Sequence, residues 1–371
     1  MSGGERRAHQ RLQSSGVDTA PEGLDLDALR PWFAAHIAEA ADAPLTASLI
    51  PGGRSNLTYH VSDGTHHWIL RRPPLGHVVA TAHDMGREYR VMSALQGSEV
   101  PVPVTRARCD DPSLIGAPFY VMDRVDGRVV RSTTELATFD PDDARTVSCE
   151  LIDVLARLHS IDFHAVGLDD FGKPDGFLAR NVARWGTQWE ANKTRELPAI
   201  DELARRVRAA LPESGPPAIV HGDYRLENTM LAPDRPEIVA VLDWEMSTLG
   251  DPLTDLGLFL VYWVHWGDSP DGDAAGLGLA TGGAAGLPGF IEFDEVVARY
   301  ASTTGRDVSQ LDFYVVFAFY KLAVILEGIN ARFLMGKTVG DGFDRMGELV
   351  TALLDAALDF AGRSSIPALR G

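Results

Sequence analysis

Cysteine is scarce in this sequence, and basic residues are outnumbered. Only two of the 371 residues are cysteines, Cys109 and Cys149, and they lack the spacing of metal ligands. A disulfide framework or a thiolate zinc site is therefore not expected, and a reducing compartment fits. Acidic residues outnumber basic ones by 52 to 34, which gives a net charge of −18. This balance argues against a surface for nucleic acid or for anionic lipid.

Long apolar segments are also missing. The two longest runs are Leu256–Trp266 and Val315–Leu326, and both are shorter than the ~20 residues that a membrane-spanning helix needs. The amino-terminal residues carry charge but lack the apolar core of a secretory signal. We therefore expect a cytoplasmic protein with no membrane partner. The sequence leaves open whether the chain forms a homodimer.

The chain changes along its length from short β-prone runs to long helical ones. Residues 1–22 are polar and aperiodic, which predicts a disordered tail. Residues 23–122 predict a small strand-rich lobe, residues 123–127 a linker, and residues 128–371 a larger helical lobe. The expected fold class is α+β, with an antiparallel sheet in the first lobe. Strands are predicted at 48–50, 57–62, 67–71 and 119–122, and helices from about residue 25 and at 84–96, 142–160, 176–193 and 199–210.

A predicted hairpin in the second lobe places two metal-binding residue types together. Two apolar runs, Thr229–Leu231 and Ile238–Leu242, flank a turn-forming stretch and should pair as antiparallel strands. Asn228 precedes the first strand and Asp243 follows the second, so pairing brings them side by side. An amide oxygen and a carboxylate make an oxygen-rich site for Mg²⁺, which phosphate oxygens would complete.

A third oxygen-bearing side chain, Asp223, lies five residues before Asn228. It ends a His221-Gly222-Asp223 turn that leaves a short apolar strand. A carboxylate one loop away from a metal site is placed to accept a proton from an attacking hydroxyl. Phosphoryl transfer needs this combination of a base, a metal and in-line positioning.

The segments HGDYRLEN, VLDWE and GDPLTDLG resemble the aminoglycoside phosphotransferase family, relatives of the protein kinases that phosphorylate small molecules. The resemblance extends over about residues 45–335 and implies a bilobal protein-kinase-like fold. It implies that Asp223 is the catalytic base and that Asn228 and Asp243 bind Mg²⁺. His221 is expected to hold the catalytic loop by hydrogen bonds.

The same resemblance implies a nucleotide site in the first lobe. The family's phosphate-covering loop corresponds to Gly52, Gly53, Ser55 and Asn56. Glycines suit such a loop because they let backbone N–H groups approach phosphate oxygens. A Gly-Gly pair between two strands is also what an ordinary hairpin turn contains. On the next strand, Ile69 and Arg71 share one face and should contact adenine and phosphate.

Arg71 departs from the kinase pattern, which has lysine at this position, so its phosphate geometry must differ. Glu88 matches the family's glutamate that orients this cation, although an exposed helix charge is an alternative. By analogy with the kinase hinge, Met122 borders the adenine pocket, and the backbone of Asp123–Val125 bonds the edge of the base.

These features predict a phosphotransferase that moves the γ-phosphoryl group of ATP, or of another nucleoside triphosphate, to a hydroxyl of a small molecule. The alternative is a nucleotide-binding module without catalysis, since Arg71 replaces the usual lysine. The chain most resembles the branch whose kinase-like domain is fused to acyl-CoA dehydrogenases, which favours a hydroxylated acyl acceptor. Aminoglycosides, amino alcohols and sugars stay open.

Several further polar and aromatic residues are expected to be structural. Asp251 and Asp255 should cap a helix and brace the catalytic loop, and His159 should be packed or capping. An aromatic core cluster is favoured over an acceptor pocket for Trp263, His265 and Trp266. The segment 267–290 has eight glycines in 24 residues, which predicts either a flexible surface excursion or a lid.

Overall fold

The computed structural model describes residues 21–40, 42–51, 56–75, 84–264, 283–338 and 342–371. Their strands and helices form two compact units. Within the described residues, the first unit takes residues up to Gly86 together with Thr105–Arg124, and the second takes Arg87–Val104 and the chain from Val125 onward. Sheet and helices together confirm the predicted α+β class. The predicted tail lies almost entirely outside the described residues.

A five-stranded antiparallel sheet forms most of the first unit. Its strand order is β1-β2-β3-β5-β4. The Asp63-Gly64 turn joins β2 to β3, and Asp63 accepts hydrogen bonds from the backbone of Thr65 and His66. The strands are β1 Thr46–Leu49, β2 Leu57–Ser62, β3 His67–Arg72, β4 Thr105–Cys109 and β5 Phe119–Asp123. Of these, β4 was not predicted.

One face of this sheet is covered by the first helix, α1 (Leu26–His36). Asp25 caps α1 by accepting a hydrogen bond from the Ala28 N–H at 3.0 Å. Leu29 and Phe33 of the helix are fully buried. They join a core made of alternate residues of the strands, which are Tyr59, Val61, Trp68, Leu70, Phe119 and Val121. The period-two pattern therefore decides which side chains of β3 point away from the core.

The second unit is mainly helical. It begins within α2, at Arg87, and its helices pack around the long apolar helix α9. The helices are α2 Met85–Leu95, α3 Thr133–Leu136, α4 Pro141–Ser160, α5 Phe177–Asn192, α6 Pro198–Ala209, α7 Leu253–Trp263, α8 Phe293–Thr304, α9 Leu311–Leu334, α10 Met346–Arg363 and α11 Pro367–Arg370. No helix of the described residues is both long enough and apolar enough to span a membrane.

Two short sheets interrupt the helices of this unit. The strands β7 (Thr229–Leu231) and β8 (Ile238–Val241) pair antiparallel, with Thr229 opposite Val241, as the sequence predicted. The short apolar strand predicted before His221 is β6 (Ala218–Val220). It pairs antiparallel with β9 (Thr248–Gly250), and the sequence predicted neither β9 nor this pairing. The two sheets therefore hold the residues on either side of the predicted catalytic segment.

The glycine-rich segment predicted as an excursion or a lid lies mostly outside the described residues. Its last part, 283–290, is described and is packed. Ala284 is fully buried, Phe290 is nearly so, and the Ala285 N–H donates to the Trp263 carbonyl at 3.0 Å. These residues therefore belong to the core of the second unit.

Close packing of α7 against α9 leads to a stability prediction. A Cβ on Gly257 would lie 2.6 Å from the Tyr314 carbonyl carbon, whereas a Cβ on Gly362 of α10 would meet nothing within 4 Å. We expect Gly257→Ala to lower the free energy of unfolding by about 1–3 kcal/mol or more, because the backbones must separate. Denaturant unfolding measures the loss. The control, Gly362→Ala, should be neutral or stabilising by up to about 1 kcal/mol, and equal values for both variants would contradict the prediction.

Candidate active site

The turn after β6 carries the carboxylate that the sequence predicts as a base. Gly222 adopts φ +88°, and a Cβ there would lie 2.7 Å from the Met246 carbonyl oxygen. Only glycine is compatible with both the positive φ and this close approach. The backbone therefore reverses at Gly222 and presents Asp223, which is partly exposed, immediately after it.

Asp255, in the first turns of α7, holds this reversal in place. Its carboxylate accepts hydrogen bonds from the backbone N–H groups of His221 at 2.7 Å and Gly222 at 2.8 Å. It is 1 % exposed and also meets His159 Nε2 at 3.2 Å. Burial alone would raise the pKa of Asp255, but the hydrogen bond from His159 and the backbone donors keep it below its ordinary value. Asp255 is therefore a buried anion that organises the turn.

His221 joins the turn to the far end of the hairpin. Its Nδ1 accepts from the Asp223 N–H at 3.2 Å, so Nε2 carries the proton and donates to the Leu242 carbonyl at 2.9 Å. The ring is fully buried against Trp244, with 4.7 Å between ring centroids. The arrangement agrees with the loop-holding part expected of His221.

Asn228 lies directly against Asp223. Its amide nitrogen donates to the Asp223 carbonyl at 2.8 Å and to the Asp223 carboxylate at 2.9 Å. Its backbone carbonyl accepts from the Leu242 N–H at 2.8 Å, which places Asp243 next to this end of the hairpin. Asp243 has φ +63°, the one positive φ of a non-glycine residue within the described ranges. Strain of this kind costs about 1–3 kcal/mol and persists where surrounding contacts enforce it.

The donor atoms at this end of the hairpin fit a hard cation. Because the Asn228 amide nitrogen is committed to Asp223, its amide oxygen is the atom left to coordinate. Asp243 adds a carboxylate, and no cluster of three or more His, Cys, Asp or Glu side chains able to hold a metal occurs among the described residues. Two protein oxygens suit Mg²⁺, which usually keeps waters and phosphate oxygens as its other ligands.

Three residues around Asp223 were not predicted from the sequence. Tyr262 of α7 lies near Asp223, and burial together with that carboxylate raises the pKa of its phenol. Lys321 of α9 donates to the Gly222 carbonyl at 2.9 Å. Arg225 lies 3.7 Å from the Asp223 carboxylate and 2.9 Å from Glu227. In the sequence, Lys321 is visible only as a break in an apolar run.

In the first unit, the structure brings two predicted adenine contacts together. Ile69 of β3 lies directly opposite Met122 of β5, so both side chains share one face of the sheet. Arg71 follows on the same face, partly buried, while Arg72 points into the core and donates to the Ile115 carbonyl at 2.9 Å. Asn56 is buried just before β2, whereas Gly52, Gly53 and Ser55 lie outside the described residues.

The other predicted nucleotide contacts are placed as follows. Asp123 ends β5, and its carboxylate accepts two hydrogen bonds from Arg106, at 2.6 and 2.7 Å. The Arg124 N–H donates to the His67 carbonyl at 3.3 Å, so this backbone donor of the predicted hinge is already used. Val125 is partly buried at the start of the second unit. Glu88 is 1 % exposed, so it is not the exposed helix charge of the alternative interpretation.

Residues predicted to be structural are buried in the second unit. Asp251 accepts hydrogen bonds from the Leu253 N–H at 3.1 Å and from the Tyr314 hydroxyl at 2.7 Å. The helix α7 begins at Leu253, one residue later than a cap at Asp251 implies. Trp263 is buried and stacks on Phe259 with ring centroids 5.1 Å apart. His265 and Trp266 lie outside the described residues.

The chain is similar over most of its length to proteins of known families. A model of the phosphotransferase enzyme family matches residues 46–293. Acyl-CoA dehydrogenase family member 10 of Mus musculus is 32% identical over 342 residues, covering 90% of this chain and 31% of the relative. The chain therefore spans about a third of that relative's length.

Solved structures give the same result for the fold. A putative aminoglycoside phosphotransferase from Ralstonia eutropha has a TM-score of 0.77 and 32% identity, covering 90% of this chain and 98% of that one. The streptomycin–ATP complex of an aminoglycoside 2″-phosphotransferase has a TM-score of 0.53 at 13% identity, which shows the fold alone. The predicted protein-kinase-like fold is thereby confirmed.

A pH dependence of stability follows from the buried His159. Its Nδ1 lies 2.7 Å from the Tyr300 hydroxyl and its Nε2 faces Asp255, so one proton satisfies both nitrogens. Burial lowers the pKa of His159 below 6.5, with Asp255 opposing this shift. The unfolded chain therefore binds the proton first, and the free energy of unfolding should fall below about pH 6.5 by up to ~1.4 kcal/mol per pH unit.

Urea unfolding between about pH 7.5 and about pH 5.5 measures this slope. The variant His159→Gln lacks the titrating ring, so it should be less stable at the higher pH but should lose less stability on acidification. Parallel pH profiles for the two proteins would contradict the assignment.

Proposed function

Because the chain belongs to the phosphotransferase enzyme family, we propose that it moves the γ-phosphoryl group of a nucleoside triphosphate, ATP in the first instance, to a hydroxyl of a small molecule. The observation that carries this proposal is the contact between Asp223 and Asn228, at 2.9 Å, beside the hairpin end that bears Asp243. A base and two metal-binding oxygens are the protein groups that such a transfer needs.

In this proposal Asp223 orients the acceptor hydroxyl and takes its proton. The carboxylate is partly exposed, and the hydrogen bond that it accepts from Asn228 fixes its direction. Asp255, His221 and the braced turn hold the backbone, so that little reorganisation is required when the hydroxyl arrives. These contacts support a general base rather than a turn-capping aspartate.

Asn228 and Asp243 would hold Mg²⁺, which when bound neutralises charge on the phosphate oxygens. Arg71 would contact the donor phosphates, and Ile69 with Met122 would supply an apolar surface for the base, as their shared sheet face supports. Gly52, Gly53, Ser55 and Asn56 are proposed to cover the phosphates. Glu88 is proposed to orient Arg71, and the backbone of Asp123 and Val125 is proposed to hydrogen-bond the edge of the nucleotide base.

The acceptor is proposed to be a hydroxylated acyl compound rather than an antibiotic. Support comes from the relative named for acyl-CoA dehydrogenase, of which this chain matches about a third. The structural neighbour at 32% identity is named for aminoglycosides, so both acceptor classes belong in an activity screen.

The first test removes the proposed base. Asp223→Asn keeps the size and the hydrogen bond acceptor of the side chain but cannot take a proton. We expect phosphoryl transfer to fall by roughly 10²–10⁴-fold with nucleotide affinity nearly unchanged. Transfer from radiolabelled ATP, with binding measured by calorimetry, checks both quantities. Retained turnover would remove Asp223 from the role, and nucleotide binding without any Mg²⁺-dependent hydrolysis in the wild type would favour the non-catalytic alternative.

A second test concerns the metal. Asp243→Asn should raise the Mg²⁺ concentration for half-maximal transfer by roughly ten- to hundredfold, because a charged ligand is replaced by a neutral one. A Mg²⁺ titration of the transfer rate measures the change. The control is Asp234→Asn at the exposed tip of the same hairpin, where the side chain pairs with Arg235. Equal Mg²⁺ requirements in the two variants would argue against Asp243 as a ligand.

A further inference from the structure

Two cationic side chains lie against one indole ring, that of Trp185 in α5, in the unit that carries the proposed base. The Arg184 guanidinium carbon of α5 is 5.0 Å from the Trp185 ring centroid, and the Lys321 nitrogen of α9 is 5.9 Å from the same centroid. Lys321 also donates to the carbonyl of Gly222, the residue before Asp223. Lys321 is therefore held at the turn that presents the proposed base, and Arg184 lies against the same indole ring as Lys321.

Neither cation forms a salt bridge with a described residue. Among the residues that the structure describes, Lys321 and Arg184 form no ion pair with a carboxylate, and Arg184 makes no hydrogen bond. Ion pairing is common elsewhere in this unit, as in Arg299 with Asp153 at 2.6 Å. Acidic residues also outnumber basic ones by 52 to 34 in the chain. Two unpaired cations at this place are therefore not a consequence of too few carboxylates.

The electrostatics of Lys321 indicate what is missing. Burial lowers the pKa of Lys321, Asp223 and Asp255 raise it, and Arg184 lowers it further. The two cations thus repel each other, and a negatively charged ligand would relieve that repulsion. Arg225, the other cation near Asp223, is already paired with Glu227 at 2.9 Å and lies over Tyr262. The anion is therefore expected at Arg184 and Lys321.

We propose that Arg184 and Lys321 bind a negatively charged group of the acceptor, so that the enzyme selects anionic hydroxyl compounds. The inference rests on the proposed phosphotransfer and adds the charge class of its substrate. Arg184 is exposed and can be reached by a ligand, and Lys321 is close enough to the turn to place that ligand beside Asp223. The anion is either the carboxylate of a hydroxy acid or a phosphate in the coenzyme A part of a hydroxyacyl-CoA thioester. Polycationic aminoglycosides would be repelled by the same two side chains.

The experiment compares paired acceptors in which one member carries a negative charge that the other lacks. Full-length protein with ATP and Mg²⁺ is given hydroxyalkanoates, their methyl esters and amino alcohols of equal chain length. Hydroxyacyl-CoA and the uncharged pantetheine thioester form a second pair. We expect kcat/KM for the anionic member of at least one pair to exceed its uncharged counterpart by roughly ten- to hundredfold. A difference between acid and ester identifies a carboxylate, and a difference between the two thioesters that is lost in Arg184→Gln identifies a phosphate of coenzyme A.

Variants assign the preference to residues. In Arg184→Gln the ratio between charged and uncharged acceptors should shrink by roughly tenfold or more, because a charge-assisted hydrogen bond is lost. Lys321→Gln keeps a donor for the Gly222 carbonyl, so it separates the charge of Lys321 from its support of the turn. Arg205→Gln, which removes a positive charge paired with Glu202 on α6, is the control and should leave every ratio unchanged.

The inference fails if uncharged or cationic acceptors are used as well as anionic ones by the wild type. It also fails if Arg184→Gln lowers transfer to all acceptors alike, since that pattern is the mark of a structural residue. Absence of Asp223-dependent transfer to any acceptor would instead contradict the proposed function. In that event calorimetry with the hydroxyalkanoate and hydroxyacyl-CoA decides, because binding that is lost in Arg184→Gln supports the anion site and no binding overturns it.

Discussion

The proposed chemistry depends on two backbone N–H groups that point at one buried carboxylate. Asp255 accepts from His221 and Gly222, and Lys321 donates to the carbonyl of the same glycine. The peptide groups on both sides of Gly222 are therefore hydrogen-bonded, which fixes the reversal of the chain at this residue. A buried carboxylate with this many donors is expensive to desolvate but strongly directional once satisfied. The position of Asp223 is a consequence of that arrangement.

A second set of hydrogen bonds connects the turn to the hairpin. His221 reaches the Leu242 carbonyl, and Asn228 reaches Asp223 while its own carbonyl is bonded by Leu242. The proposed base Asp223 and the proposed ligand Asn228 thus belong to one network that reaches Leu242, the residue before Asp243. A network of this kind couples the distance between the proposed base and the proposed metal site to the register of a single β-hairpin.

The hairpin, the turn and the class of fold could be predicted because their determinants are local. The apolar runs that form β7 and β8 flank a turn that contains proline, and Asp63 and Gly64 mark the turn of the hairpin between β2 and β3. The strand β9 was missed because it is short and pairs with the distant strand β6, and β4 was missed because its apolar residues are only Ala107 and Cys109, although it pairs with the next strand, β5. Packing on those partners, rather than any pattern of their own, makes them strands.

The amino-acid sequence by itself therefore determined the family, the order of the elements and the three oxygen-bearing residues, because the spacing within one hairpin carries that information. Only the tertiary structure decided that Lys321 lies at the turn before Asp223, the proposed base. Arg184 is the sequence neighbour of Trp185, but Lys321 on α9 is far from both Trp185 and Gly222 in the chain, and helix packing brings it to them. The position of Lys321 is thus a property of helix packing, which no local sequence pattern contains.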